Sequence, residues 1–555
     1  MYFLQKLSRP LFSLSLTQFS LLNALWLACA LNICFYKRIK ELTPYSGFQS
    51  YFFIGATILV VVAAYNIVMQ IFQWRLSAKP WAFFFIFVGG MSAYSISNLG
   101  VVITSDQVQN LMQTDSHEAF DLMSTQFFLW FLGMIFLPAV IISKINIKTE
   151  RLHKQVFMKS MHILGSLGLI FISLFVFYVD YAAIFREHRD LKAMLSPQNA
   201  ISASYSYYKK KAPQENLPLI HYGEDAHQTK NVTQSDLPKL MLLVVGETAR
   251  AESISLNGYQ RNTNPELSKQ NLINFSQVSS CGTATAVSVP CMFSGMPKAQ
   301  YDEQLASHRE GLLDIAQRAG YKVTWIDNNS GCKGVCNRVE QYPISESLKQ
   351  KWCKNGKECH DEILIDAFQD YLKHIPKNDH QPRLIVLHQM GSHGPAYYER
   401  TTAQYQPFKP TCDTNAIQGC STQSLVNSYD NSIVYTDHVL SQLIDSLKSV
   451  SEFQTGFWYL SDHGESTGEH GLYLHGAPYA LAPTQQTHIP MFLWFSSNWQ
   501  QKQPEQILCL NQQKNHKLSQ DHLFPTLLSL LDIQSTVIQP QNNMLALCQS
   551  EHHRV

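Results

Sequence analysis

The sequence predicts a protein of two unlike parts, in which five membrane-spanning helices precede an α/β domain with a mainly parallel sheet. Long apolar stretches fill the first third of the chain, short apolar runs alternate with amphipathic segments from residue 237 onwards, and ten of the 12 cysteines follow residue 280. At 555 residues the chain is too long for one hydrophobic core. We therefore predict a membrane domain over 1–184, a connecting segment over 185–236 and an exported domain over 237–555.

The predicted membrane domain rests on five apolar stretches that carry almost no charge. Each is close to or longer than the roughly 20 residues that a helix needs to cross a bilayer. The first is too long for a signal peptide and lacks a cleavage site of small residues, so we expect it to be retained. Five buried helices of a soluble protein are the alternative. The stretches are 11–35, 51–74, 80–103, 125–143 and 160–183.

The basic residues between these stretches predict the orientation of the chain. Cytoplasmic segments of membrane proteins carry an excess of lysine and arginine. With the amino terminus inside, nine basic residues fall in cytoplasmic segments and three in outer segments, and the outer loop 104–124 has no lysine or arginine. Five spans then place everything after residue 184 outside the cytoplasm.

The cysteines fit that orientation. An even number of them, confined to the part predicted to be exported, indicates disulfides in an oxidising compartment. Zinc binding by cysteine is the alternative, but the spacings lack a repeated CxxC. Sequence alone does not fix the connectivity, and pairing by neighbours gives Cys281–Cys291, Cys332–Cys336, Cys353–Cys359, Cys412–Cys420 and Cys509–Cys548.

The connecting segment is polar and contains YSYYKKK at 205–211. Aromatic residues beside lysines are typical of a helix that lies at the membrane interface. An ordinary solvated linker is the other interpretation.

Five apolar runs after residue 237 predict buried strands, and the amphipathic segments between them predict helices. This alternation is typical of a parallel sheet flanked by helices, in which ligands bind beyond the carboxyl ends of the strands. The predicted strands are 240–247, 321–328, 383–390, 455–464 and 487–496.

Polar side chains, all but one of them acidic or imidazole, stand at or just after the ends of four of these strands. Each of them alone is more often structural than functional. Together, oxygen and nitrogen ligands at one edge of a sheet indicate a metal site and suit zinc. The residues are Glu247, Asp327, Asn328, His388, His393, Asp462, His463 and His475.

The stretch SCGTATAVSVPC at 280–291 is small and rich in hydroxyl groups between two cysteines. We expect it to add little to the core, and it reads poorly as helix or strand, so we interpret it as a short loop tied at both ends. A hydroxyl is a weak nucleophile at neutral pH, and a zinc ion that binds it would lower its pKa. The loop is therefore expected to present Thr283, Thr285 or Ser288 to the metal.

Five motifs, in this order behind the five spans, resemble those of the lipid A phosphoethanolamine transferases, a family that includes polymyxin-resistance enzymes. The resemblance covers essentially the whole chain. It implies an alkaline-phosphatase and sulfatase-like fold for the exported domain, in agreement with the strand and helix pattern. The motifs are VVGETARAESISLNGYQRNTNP, SCGTATAVSVPCMFSG, HQMGSHGP, YDNSIVYTD and SDHGESTGEHGLYLHGAP.

The resemblance implies a role for each matching residue. Thr285 would be the nucleophile, ahead of Thr283 and Ser288. Glu465 and Glu469 are expected to be solvated or to stand behind the metal ligands. The zinc ligands would be Thr285, Glu247, Asp462 and His463, while His393 and His475 would lie near the transferred phosphate, with a second zinc in some states. The phosphoethanolamine group would be contacted by Asn329, Ser330 and Lys333, and its ethanolamine end would be faced by Asn110, Thr114 and Glu118.

The implied reaction is ping-pong. Phosphatidylethanolamine would transfer phosphoethanolamine to Thr285 and release diacylglycerol, and a phosphate of lipid A would then attack the phosphothreonine. His393 or His475 would act as general acid or base, while zinc and Lys333 neutralise phosphate charge. We expect a multi-pass protein of the bacterial inner membrane with a cytoplasmic amino terminus and a periplasmic catalytic domain. It would be a monomer that contacts membrane lipids and binds no nucleic acid, since the net charge is only +1.

Three other functions remain open from the sequence. The acceptor could be a core sugar of lipopolysaccharide or a periplasmic glucan, because motifs at the nucleophile do not distinguish acceptors. A periplasmic sulfatase or phosphatase of the same fold is a second option, although the sulfatase motif CxPSR is absent. A membrane metal sensor without turnover is the third, and the intact set of ligands with a hydroxyl argues against it.

Overall fold

Long apolar helices build the first part of the fold. The computed structural model describes residues 12–114, 122–210, 217–229, 237–353 and 358–552. The chain divides into one unit of Met1–Val108 and Met123–Tyr208 and a second unit of Gln109–Leu122 and Lys209–Val555. Among the described residues, four helices are long and apolar enough to span a membrane, or five if a bent pair counts as one span. They are Gly47–Phe72, Ala78–Leu99, Thr125–Ser143 and Leu152–Val176, with Leu16–Leu31 and Ile33–Leu42 as the bent pair.

The first and last spans differ from the predicted stretches 11–35 and 160–183. The first one bends by 60° between Leu31 and Ile33. At the bend the buried Asn32 side chain donates to Leu27 O and Ser196 O, both at 2.8 Å, and accepts from Ser196 N at 2.9 Å. The last span is Leu152–Val176, and a separate helix, Tyr178–Glu187, follows it. The bounds differ because hydropathy indicates only the apolar part of a helix, whereas the helical backbone can continue into polar residues beside it.

A helix over Gln198–Lys210 contains most of the aromatic and lysine-rich segment. Tyr205 and Tyr208 on it are 67% and 63% exposed. Its location at a membrane interface stays a prediction. The helix Ser105–Gln113 also lies outside the long spans, and a short parallel pair joins Phe12–Leu14 to Ile145–Ile147.

An eight-stranded sheet forms the centre of the second unit. We label its strands in chain order as β1 Lys239–Gly246, β2 Ile273–Ser279, β3 Lys322–Asp327, β4 Glu340–Gln341, β5 Arg383–His388, β6 Gln454–Ser461, β7 His488–Phe495 and β8 Leu518–Ser519. Their order across the sheet is β8-β2-β7-β6-β1-β5-β3-β4. Only β7 runs antiparallel to its two neighbours, β2 and β6. The mainly parallel sheet flanked by helices confirms the predicted fold class.

The helices of the second unit cover both faces of this sheet, so that β1 and β6 are buried along their whole length. Two further strand pairs lie outside it, Ser466–Thr467 with Tyr473–Leu474 and His227–Gln228 with Ile533–Gln534. The helices are Thr285–Phe293, Glu303–His308, Leu312–Arg318, Glu346–Trp352, Glu362–Lys373, Thr422–Lys448, Thr484–Thr487, Ser497–Lys502, Pro504–Gln512, Leu523–Leu530 and Met544–His552.

All five predicted strands are present in the eight-stranded sheet, as β1, β3, β5, β6 and β7, and its other three strands were missed. The strand β2 has the sequence INFSQVS, in which Asn274, Ser276 and Gln277 interrupt the apolar pattern. These polar side chains are tolerated because β2 lies near one edge of the sheet and is only partly buried. The strands β4 and β8 are two residues long and give no periodic signal.

The interpretation of 280–291 as an irregular loop with little core is wrong. Its second half belongs to the helix Thr285–Phe293, which begins after the extended Ala284. Val289, Met292 and Phe293 belong to the hydrophobic core, and the packing of this face stabilises the helix despite its internal proline. Hydroxyl-bearing residues therefore stand at the first turn of a helix.

All five cysteine couples formed by neighbour pairing are disulfide-bonded in the structure. Cys29 and Cys34, in the first apolar helices, are the free cysteines of the described residues.

Glu310 ties the segment 217–229 to the rest of the second unit, and this contact makes stability depend on pH. Its carboxylate accepts from Arg318 Nη2 at 2.6 Å and from Tyr222 N at 2.9 Å. Burial alone would raise the pKa of Glu310, but these donors outweigh it and lower the pKa from 4.5 to about 2. A depressed pKa stabilises the folded state above pH 4.5, and this contribution is lost as the pH falls from 4.5 to 2.

We expect Glu310→Gln to flatten the acid limb of the stability profile. Thermal unfolding midpoints between pH 4.5 and 2 measure this. The matched control is Glu346→Gln, since Glu346 is 79% exposed and pairs only with Lys349 among the described residues. An acid limb that is equally steep in wild type and Glu310→Gln would contradict the assignment.

Candidate active site

Four of the predicted site residues meet at the carboxyl edge of the sheet. Glu247 directly follows β1, and Asp462 and His463 directly follow β6. Because β1 and β6 are parallel neighbours, their carboxyl ends lie side by side. Thr285 reaches the same place as the first residue of the helix that follows β2.

The side chains of these four residues form a compact, buried cluster. Thr285 Oγ1 lies 3.0 Å and 3.2 Å from the two carboxylate oxygens of Glu247 and 3.3 Å from His463 Nε2. His463 Nε2 lies 3.4 Å from Glu247 Oε1 and 3.3 Å from Asp462 Oδ2. Thr285 is 7% exposed, and the other three residues are at most 1% exposed.

The cluster fits a divalent cation. One ligand atom each from Glu247, Asp462 and His463 lies within 4.8 Å of the others. Asp462 Oδ1 accepts from two backbone N–H groups, whereas Oδ2 has no hydrogen-bond partner among the described residues. A buried carboxylate oxygen without a partner is costly, and a cation would satisfy it. Burial and the neighbouring Glu247 also raise the pKa of Asp462 well above its usual range, as expected for acids that lack a counter-charge.

His463 offers the nitrogen ligand in the required form. Its Nδ1 lies 2.9 Å from Gly464 O. A carbonyl oxygen only accepts, so Nδ1 carries the proton and the Nε2 lone pair faces Thr285 and the two carboxylates. Burial lowers the pKa of His463 to about 3, which keeps the ring neutral. Two carboxylates, a neutral imidazole and a hydroxyl form a donor set that suits zinc.

Amide side chains behind the cluster hold its members in place. Asn329 Nδ2 donates to Glu247 Oε2 at 2.9 Å and to Gln389 O at 2.7 Å. Gln520 Nε2 donates to the backbone oxygens of Ser461 and Asp462. The sequence resemblance implied that Asn329 contacts phosphoethanolamine, and the structure gives it a contact with Glu247. Gln520 was not anticipated, because it lies far along the chain in an ordinary amphipathic segment.

His393 and His475 border the cluster without belonging to its three-ligand group. The His475 ring centroid lies 4.6 Å from that of His463 and 5.3 Å from that of His393. His475 Nδ1 lies 3.0 Å from Glu465 Oε2. Tyr397 OH donates to the other oxygen of this carboxylate at 2.9 Å.

Glu465 and Glu469 have different surroundings in the structure. Glu465 is fully buried and stands behind His475, so it is not solvated. The sequence feature that could have indicated this role is the position of Glu465, three residues after Asp462 in the same glycine-rich loop. Glu469 instead forms an ion pair with Arg250 at 2.8 Å.

Lys333 and Ser330 extend the site away from the cluster. Lys333 Nζ donates to Ser330 Oγ at 2.8 Å and to Ser330 O at 3.0 Å, and Ser330 is the neighbour of Asn329. The Cys332–Cys336 disulfide encloses Lys333, whose φ of 50° lies in the left-handed region. The turn places the backbone of Lys333, and the two hydrogen bonds to Ser330 hold its ammonium group.

The three residues predicted to face ethanolamine are only partly described. Thr114 Oγ1 donates to Asn110 O at 2.7 Å, at the end of the helix Ser105–Gln113. Lys333 Nζ lies 3.5 Å from Gln113 O, which brings this helix end close to the Lys333 turn. Glu118 lies outside the described residues.

Comparisons with known proteins agree with this architecture. The family model named Sulfatase matches residues 239–533, and the model named Phosphoethanolamine transferase EptA/EptB matches residues 61–212. The chain is 42% identical to phosphoethanolamine transferase EptA of Escherichia coli strain K12, over 98% of each chain. It is 33% identical to the phosphatidylethanolamine transferase Mcr-1 of Escherichia coli, over 93% of this chain and 95% of the relative. Among solved structures, the integral membrane lipooligosaccharide phosphoethanolamine transferase A from Neisseria meningitidis has a TM-score of 0.89 at 35% identity, covering 96% of this chain and 99% of that chain.

Gly391 supports Glu247 from the loop after β5, and this contact gives a test of the cluster. A Cβ atom at Gly391 would lie 2.5 Å from Glu247 O and 3.1 Å from Glu247 Cβ. We expect Gly391→Ala to displace Glu247 and to weaken zinc binding about tenfold or more, which corresponds to ~1.4 kcal/mol. Competition with a chromogenic chelator measures the zinc affinity of the purified full-length protein.

The control for this substitution is Gly258→Ala. Gly258 also has a positive φ, at 96°, but a Cβ atom there meets nothing within 4 Å. Backbone strain is therefore shared by both variants, and only Gly391→Ala adds the clash with Glu247. Equal zinc affinities for the two variants would contradict the assignment of Glu247 as a ligand held by Gly391.

Proposed function

The chain belongs to the EptA/EptB-type phosphoethanolamine transferase family, and from that premise we propose that it transfers phosphoethanolamine from phosphatidylethanolamine to a phosphate of lipid A. The observation that carries this proposal is the position of the Thr285 hydroxyl, 3.0 Å from Glu247 and 3.3 Å from His463 in a buried cluster. We assign Thr285 as the nucleophile that carries phosphoethanolamine between donor and acceptor. The names of the relatives support a phosphatidylethanolamine donor and a lipooligosaccharide acceptor.

We propose Glu247, Thr285, Asp462 and His463 as the ligands of one zinc ion, and His393 and His475 as the residues available to a second. When bound, zinc supplies a Lewis acid that lowers the pKa of the Thr285 hydroxyl and neutralises charge on phosphate oxygens. The partnerless Asp462 Oδ2 and the neutral His463 ring support this assignment.

In the first half-reaction the Thr285 oxygen bonds to the phosphorus of phosphatidylethanolamine, and the bond from phosphorus to the diacylglycerol oxygen breaks. The hydroxyl proton ends on diacylglycerol, with His475 or His393 as its carrier. Glu465 orients His475 through Nδ1, which leaves Nε2 to exchange the proton. Lys333 adds positive charge near the phosphate.

In the second half-reaction a phosphate oxygen of lipid A bonds to the same phosphorus and the bond to Thr285 breaks. The Thr285 oxygen regains a proton from the acceptor phosphate, with His475 or His393 as its carrier. Ser330 and Lys333 are proposed to bind the phosphate end of the phosphoethanolamine group, with Asn329 beside them. Asn110, Thr114 and Glu118 are proposed to bind its ammonium end. The product carries an added ammonium group, which lowers the negative charge that attracts cationic peptides such as polymyxin.

We propose that the protein is a monomer of the bacterial inner membrane, with a cytoplasmic amino terminus and a periplasmic catalytic unit. The excess of basic residues in the predicted cytoplasmic segments supports this orientation. Five disulfides in the second unit are consistent with an oxidising compartment. Tethering to the bilayer would bring the catalytic unit to two lipid substrates.

Two threonines of the same motif allow a matched test of the nucleophile. Thr283 and Thr285 are both 7% exposed, but Thr283 Oγ1 donates to Ala477 O at 2.7 Å, away from the cluster. We expect Thr285→Ala to abolish both the modification of lipid A and the phosphoethanolamine adduct on the protein. Thr283→Ala should retain both, with a modest loss of stability of about 1 kcal/mol. Mass spectrometry of lipid A and of the intact protein measures the two products.

Each outcome bears on a different part of the proposal. If wild type leaves lipid A unmodified and adds phosphoethanolamine to a core sugar, that core sugar replaces lipid A as the proposed acceptor. Modification that persists in Thr285→Ala would remove Thr285 as the nucleophile. Loss of activity in Thr283→Ala, with Thr285→Ala active, would reverse the assignment.

A further inference from the structure

The loop that carries His475 is held by one buried side chain, the amide of Gln486. The loop spans residues 464–477 and follows β6. Gln486 lies in the short helix Thr484–Thr487, which directly precedes β7. It is 0% exposed, so its amide is satisfied by protein groups rather than by bulk water.

Both ends of this amide make hydrogen bonds within the loop. The oxygen accepts from Ala477 N at 3.0 Å. The nitrogen donates to Ser466 Oγ at 2.9 Å and to Leu474 O at 3.1 Å. Because Leu474 and Ala477 lie on either side of His475 in the chain, Gln486 holds the backbone before and after this histidine.

The backbone of the same segment holds the start of the loop. Gly464 N donates to Gln486 O at 3.0 Å, and Glu465 N donates to Gln485 O at 2.8 Å. Glu465 is also the residue whose carboxylate lies 3.0 Å from His475 Nδ1. Both members of the Glu465–His475 pair are therefore attached to the fold through the segment that contains Gln486.

The backbone beside His475 has a conformation that needs such support. Leu474 has a φ of 63°, in the left-handed region that residues other than glycine rarely adopt. A residue in that region costs free energy and persists only where the surrounding contacts impose it. The hydrogen bond from Gln486 to Leu474 O is one of these contacts, and it acts on the residue directly before His475.

We propose that Gln486 is a positioning residue for His475, and that His475 rather than His393 delivers the proton to diacylglycerol. This inference rests on the proposed function. As the Thr285 oxygen bonds to phosphorus, the bond from phosphorus to the diacylglycerol oxygen breaks. That oxygen takes up the Thr285 hydroxyl proton, which His475 delivers from Nε2. A displaced His475 would slow this step, because proton transfer depends closely on the distance between donor and acceptor.

The leaving group provides a test that a purely structural role would not satisfy. Diacylglycerol leaves as an alcohol and needs a proton, whereas p-nitrophenolate leaves as a stable anion. In zinc-loaded, full-length enzyme, we expect Gln486→Met to slow formation of the phosphoethanolamine adduct from phosphatidylethanolamine about tenfold or more, with an unchanged KM for this donor. With p-nitrophenyl phosphoethanolamine as the donor, the same variant should lose about twofold at most.

Gln513→Met is the matched control. Gln513 is also 0% exposed, and its amide contacts His516 Nδ1 at 2.6 Å and Cys548 Sγ at 3.4 Å, outside the loop. Both variants lose buried amide hydrogen bonds and therefore stability, but Gln513→Met should form the adduct at the wild-type rate from both donors. If Gln486→Met fails to fold, Gln486→Glu replaces it, since glutamate keeps the size and the acceptor for Ala477 N but has no N–H group.

Hydrogen exchange separates this proposal from the proposed function. Peptides that contain Ala477 should exchange faster in Gln486→Met than in wild type or Gln513→Met, whatever reaction the protein catalyses. If wild type forms no adduct from either donor, the proposed function fails, and faster exchange alone would keep Gln486 as the residue that positions His475. Unchanged exchange would overturn that role. Equal losses with the two donors, or no loss with either, would overturn the role in proton transfer.

Discussion

Two carboxylates, Glu247 and Asp462, meet around the Thr285 hydroxyl in a buried site. Their ligand atoms lie within 4.8 Å of each other and of His463 Nε2. Repulsion between two charges at that distance costs roughly 3–4 kcal/mol at an effective dielectric constant of about 20. Burial and this repulsion together raise the pKa of Asp462 well above its usual range. A divalent cation would convert the repulsion into attraction, and it would do so next to the Thr285 hydroxyl.

The rest of the second unit serves to hold this arrangement. The strands β1 and β6 are buried and parallel, so the two acids cannot separate without breaking the centre of the sheet. Asn329 fixes Glu247 from β3, and Gln520 fixes the backbone at Asp462 from beyond β8.

The sequence predicted the parts of the site that depend on strand periodicity. Glu247, Asp462 and His463 were placed correctly at one edge because each directly follows an apolar run, and parallel strands end together. The helix Thr285–Phe293 was missed because its small residues carry no helical pattern, and its stability comes from Val289 and Phe293 in the core. Glu465 and Gln520 could not be assigned contacts, because their partners are set by how loops fold over the sheet. Likewise the bend at Asn32 follows from a hydrogen bond to the distant Ser196.

Anomalous diffraction at the zinc absorption edge tests the central claim most directly. Crystals of the full-length protein grown with zinc should give a strong peak bounded by Thr285 Oγ1, His463 Nε2 and the carboxylates of Glu247 and Asp462. Refined distances from that peak should fall near the roughly 2.0–2.2 Å of zinc bound to nitrogen and oxygen. Ordered side chains with no peak between them, or zinc bound only elsewhere on the chain, would contradict the account.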